Sequence, residues 1–146
     1  VAATGKLFGK LFTALWNKEI DYDTDTIKVM LTTSSYTPDQ DAHDYKDDVT
    51  NEVAATGGYT AGGNALGSKT VTYTGATNKH VLDCADPQWT TSTITARNAI
   101  FYNASPGADS TRPLIGYQAE TGDVSTTGGN FDIIIAAAGL VEITVG

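Results

Sequence analysis

The chain has 146 residues, enough for one hydrophobic core and too few for two domains of ordinary size. Nine Lys and Arg against 17 Asp and Glu leave a net charge of −8, which disfavours binding to a phosphate backbone, since that affinity comes from clustered cations. A single cysteine, Cys84, excludes an intramolecular disulfide, and no apolar run approaches the roughly 20 residues that span a bilayer.

Six apolar residues of the first segment, Leu7, Phe8, Leu11, Phe12, Leu15 and Trp16, recur at helical spacing, and Thr4 stands where an N-cap would. The spacing predicts an amphipathic helix, although Gly9 weakens it by about 1 kcal/mol relative to Ala. Such a stripe needs cover, either from the protein's own sheet or from a partner. Leu7, Phe8, Leu11, Phe12 and Trp16 are therefore the first interface candidates. The segment also lacks the uninterrupted apolar run and cleavage site of a signal peptide.

Next, Asp21-x-Asp23-x-Asp25 matches the first three ligand positions of a calcium loop. The match then fails, because Thr26 stands at the turn-glycine position and Thr32 at the closing glutamate. Asp21, Asp23 and Asp25 are thus a weak metal candidate beside the plainer reading of a polar turn, and no cofactor is expected. Thr26–Thr32 alternates as a strand with Ile27, Val29 and Leu31 on one face. Asp39 or Asp41 then caps a short additional helix, in which Ala42, Tyr45, Val49 and Val53 recur at three- and four-residue steps.

The stretch 54–68 holds five glycines but neither a Gly-Lys-Ser/Thr ending nor G-x-G-x-x-G, so it reads as turns rather than a phosphate loop. Beyond it, strands are expected at 69–74, 80–84, 94–102, 114–120, 130–136 and 140–145, separated by turn residues. No long helix intervenes, which favours antiparallel pairing. The predicted fold is mainly β: an antiparallel β-sandwich or barrel-like domain with an N-terminal amphipathic helix and one short additional helix. Residues 1–20 form the amphipathic segment, packing on the domain or a partner, and 21–146 form a single β-rich domain.

Support for catalysis is missing. The carboxylates Asp39, Asp41, Asp44, Asp47 and Asp48 fall on a segment expected to be exposed rather than in a cleft. There is no G-x-S-x-G, no H-E-x-x-H and no Cys/His metal spacing, and His43 and His80 stand alone. Cys84 reads as a small core residue. Among the aromatic residues, Trp89 in the loop Asp86–Thr93 is expected to be half-exposed and is a second contact candidate.

Four stretches, 19–45, 47–63, 85–103 and 112–144, resemble in order a family of small proteins encoded among the structural genes of tailed bacteriophages. One departure is Asn98, where similar sequences favour an aromatic residue after Thr95-Ala96-Arg97. The resemblance implies a non-enzymatic virion protein of the head-decoration (cement) or head-fibre type, assembled in the host cytoplasm and carried on the capsid's outer surface. It implies the major capsid protein as partner, with symmetric self-association such as a trimer expected alongside, while the charge and the short apolar runs lead to an expectation of no nucleic-acid or membrane contact. The alternative is a tail-fibre, tail-tip or head-fibre module that contacts host glycans through exposed aromatic rings. A glycan-cleaving enzyme is the third and weakest reading.

Overall fold

A computed structural model describes residues 4–146. In chain order the elements are β1 (Thr4–Leu7), α1 (Leu11–Trp16), β2 (Ile27–Thr32), β3 (Asn64–Ala65), β4 (Thr70–Thr74), β5 (Lys79–Asp83), β6 (Gln88–Ser92), β7 (Thr95–Asn103), β8 (Leu114–Ser125), β9 (Gly129–Asp132) and β10 (Val141–Thr144). All strand pairs are antiparallel. They form a five-stranded sheet in the order β1-β8-β7-β2-β3, a three-stranded sheet β10-β5-β4, and the pair β6-β9. The protein is thus mainly β, and its sheets do not close into a barrel.

The five-stranded sheet is covered on both faces. On one, Val29, Leu31, Phe101 and Ile115 share a core cluster with Trp89 of β6, Phe131 of β9 and Val141 of β10, so the two smaller sheets meet the large one there. On the other, Met30, Ile100, Tyr102 and Leu114 pack with Phe8 and Tyr36. Alternation along β2 and β7 sends successive side chains to opposite clusters, and for that reason both strands read as near-continuous apolar runs.

The predicted N-terminal helix does not form as one element. Residues Thr4–Leu7 pair instead with Gly116–Ala119 of β8, and Phe8 N–H continues the ladder to the Ile115 carbonyl at 3.1 Å. Gly9 follows with its N–H on the Gln40 carbonyl at 2.9 Å, and only after this does a six-residue helix begin. Pairing with a strand more than a hundred residues away outweighs local periodicity on a segment whose isolated helix would be marginal. Residues 1–3 of the expected amphipathic segment lie outside those described.

The additional helix is reduced to one 3₁₀ turn, Lys46–Asp48. Its flanking backbone bonds elsewhere: Lys46 N–H to the Arg112 carbonyl at 2.9 Å, and Leu114 N–H to the Asp44 carbonyl at 2.9 Å. Asp39 does cap, but as a turn, with its Oδ1 accepting from the N–H groups of Asp41 and Ala42 at 3.0 Å each. Strand β6 is an addition, since Gln88–Ser92 pairs with β9 where a loop was expected.

Candidate contact surface

The structure divides the five N-terminal candidates. Phe8 and Leu11 are each 1% exposed: Phe8 packs on Tyr117 at a ring separation of 5.0 Å, and Leu11 enters the larger core cluster. Leu7 and Phe12 are half-buried at the margin of that cluster. Trp16 is 80% exposed, its ring 6.1 Å from that of Phe12. A helix of fewer than two turns has room for one buried row, here Leu11 and Ala14, and this row carries Trp16 outward. An indole left in water forgoes roughly 1.5–3 kcal/mol of burial, which a partner surface would recover.

Next to Trp16 in sequence, Leu15 lines a shallow groove of about 570 Å³ with Ile20, Tyr22, Val71 and Leu82. The far wall is made by Val71 of β4 and Leu82 of β5; on β4, Val71 is 51% exposed and Tyr73, outside the groove, 52%. Tyr73 is held by a hydrogen bond from its hydroxyl to Asn78 Oδ1 at 3.0 Å and by the His80 ring at 4.6 Å. These two residues were not singled out from the sequence. Their signal is the uncharged run Thr-Val-Thr-Tyr-Thr ahead of a Gly-containing turn, which marks a hairpin strand but not its exposure.

Trp89, expected to be half-exposed, is 3% exposed. As part of β6 it points into the core, edge-on to Phe131 at 6.1 Å and 5.8 Å from Tyr59. Its indole N–H has no hydrogen-bond partner there. Trp89 is therefore a packing residue, and it offers no ring to a ligand.

In the Asp21–Asp25 segment the side chains serve the backbone. Asp21 Oδ1 accepts from Thr24 N–H at 3.2 Å, and Asp25 Oδ2 accepts from Asp21 N–H at 2.8 Å and from Asn103 Nδ2 at 2.6 Å. The carbonyls of Tyr22, Asp23 and Asp25 all accept from the ammonium of Lys69, at 2.7 Å and 3.2 Å for the first two. The loop thus gathers oxygen atoms around a cation, and a lysine supplies it. Among the described residues no group of three or more His, Cys, Asp or Glu side chains is arranged to hold a metal ion.

In the acidic 39–48 segment, Asp39 and Asp48 serve nearby backbone groups. Ala42 and Asp41 N–H groups hold the Asp39 carboxyl below its ordinary range. For Asp48, burial pushes upward, but hydrogen bonds from Asp44 and Tyr45 N–H outweigh it and leave the carboxyl lowered. A general acid needs the opposite shift. His43 Nδ1 accepts from Asp39 N–H at 3.1 Å and lies 2.9 Å from the Tyr36 hydroxyl. Burial pushes the Cys84 thiol up to about 11, so the thiolate that reacts is scarce.

Although the basic residues look scattered in sequence, Lys28, Lys46 and Arg112 line one open pocket with Glu52 and Asp109. Two of these cations are already paired there: Lys46 Nζ with Asp109 at 2.7 Å, and Arg112 with Asp109 at 2.8 Å. Among the described residues the large apolar side chains left most open to solvent are Trp16 of α1, Ile134 in the segment after β9, and Val71 and Tyr73 of β4. No protein-family model, curated protein or solved structure is significantly similar to this chain.

Proposed function

We propose that this chain is a structural protein of a tailed-phage particle, docked on the outer surface of the head as a decoration (cement) protein. The observation that carries this reading is Trp16, an indole 80% exposed on a helix that is itself anchored in the core by Leu11 and Ala14. A solvated aromatic ring on an anchored helix suits insertion into a pocket of another protein, where such anchors supply much of the binding energy. The in-order resemblance of four stretches to tailed-phage structural proteins supports the same role. The partner is the major capsid protein, and the copies associate symmetrically, as a trimer or another closed arrangement.

In this role the protein acts mechanically. Each copy spans neighbouring capsid subunits, binds only the assembled lattice, and stabilises it by mass action over many equivalent contacts. The glycan-binding alternative loses Trp89 as a contact, since that ring is buried, and would have to use Trp16 or Tyr73 instead. Particles assembled without the protein should lose integrity at lower temperature and milder osmotic shock than complete ones. Equal survival of the two would refute the cement role.

A further inference from the structure

Strand β4 differs from the other sheet edges among the described residues. β1 carries Lys6, β10 carries Glu142 and β9 carries Asp132, β3 is two residues long, and β6 has a register shift between Trp89 and Ser92 with Thr91 at φ 51°. Charge, shortness and bulges are the devices that keep edges from pairing with foreign strands. β4 has none of them: Thr70–Thr74 is uncharged, regular in its pairing to β5, and exposed at all five positions. Lys69, the nearest charge, is turned away to the carbonyls of Tyr22, Asp23 and Asp25.

The orientation of the free backbone groups follows from the ladder. Leu140 N–H donates to the Leu82 carbonyl at 2.8 Å, so Leu82 turns its backbone toward β10, and its partner across β4–β5 is Val71. By antiparallel alternation Val71 and Tyr73 then turn their N–H and C=O groups outward. We propose that β4 pairs antiparallel with β4 of a second copy, about a two-fold axis through Thr72.

In that register Val71 faces Tyr73 of the other copy, and their outward groups form four N–H···O=C bonds. Thr72 faces its own equivalent and Thr70 faces Thr74. The run Thr-Val-Thr-Tyr-Thr reads almost alike in both directions, as a two-fold contact requires. Charge fits as well. The strip brings no carboxylates together on a chain of net charge −8, and the two outer rows, in which Thr70 faces Thr74, each run from Asp83 of one copy to Lys79 of the other. A parallel alignment would instead place like charges at both ends. The contact belongs to the free chain, does not depend on the decoration role, and is separate from any grouping on a lattice.

Sedimentation velocity of the chain without particles tests it, using Thr72→Lys and Thr72→Glu, exposed changes whose folding is checked by the thermal midpoint. The unchanged chain should dimerise as concentration rises, and each variant alone should associate about tenfold more weakly or less, because like charges then meet on the axis. An equimolar mixture of the two variants should restore dimers. The proposal is overturned if the unchanged chain stays monomeric, if either variant alone associates as the unchanged chain does, or if the mixture restores nothing.

Discussion

The five-stranded sheet and the β4–β5 hairpin are built from similar residue types but in opposite conditions. In the large sheet, β7 buries nearly every residue from Ala96 to Asn103 between two clusters, whereas β4 exposes all five of its residues. Valine and tyrosine hold the fold together in the first and stand half in water in the second. Packing on both faces therefore carries stability, and the exposed β4 face and Trp16 of α1 are where the proposed contacts fall.

The sharpest break between the two regions is a truncation in each. Phe101→Ala should lower unfolding stability by about 3–5 kcal/mol, while Val71→Ala should stay within about 0.5 kcal/mol, as read by denaturant titration. Equal losses would mean that the hairpin belongs to the core. A smaller effect is expected at Asn98, which is buried, with Nδ2 donating to Thr32 Oγ1 at 3.1 Å and to the Tyr36 carbonyl at 3.0 Å. Asn98→Ala leaves those acceptors dry and should cost about 1–3 kcal/mol. This polar tie fastens the 33–53 segment to the second face of the sheet.

At the margin lies Asp109, whose carboxyl is held below its ordinary range by hydrogen bonds and charge from Lys46 and then Arg112. Because the folded value is depressed, its stabilisation is complete above the unfolded carboxylate range near pH 4 and fades as pH falls through the folded value. Asp109→Asn should therefore lose less stability than the unchanged chain on acidification below about pH 4, a modest difference for a half-exposed pair. Identical acid profiles would show that the pair contributes nothing.

Strands β2, β4, β5 and β7 were legible because apolar and β-branched runs bounded by turn residues mark them locally. The N-terminus was not, since Leu7, Phe8, Leu11 and Phe12 satisfy helical spacing equally well when a strand runs into a short helix, and the choice is made by β8. β6 was hidden for a similar reason: Gln-Trp-Thr-Thr-Ser has one large apolar residue, and its partner β9 lies about forty residues on. Of the contact candidates, the apolar stripe was visible but not its division, because whether Phe8 or Trp16 is covered depends on Tyr117 and on the length of α1. Trp89 was misplaced because Tyr59 and Phe131, which enclose it, come from distant segments.

Occupancy of undecorated heads by the unchanged chain and by Trp16→Ala, measured by quantitative pull-down with the particles, tests the docking account most directly. With folding stability unchanged, the variant should bind at least tenfold more weakly, the loss expected when an exposed aromatic anchor of about 2 kcal/mol is removed. Undiminished occupancy by Trp16→Ala would contradict it.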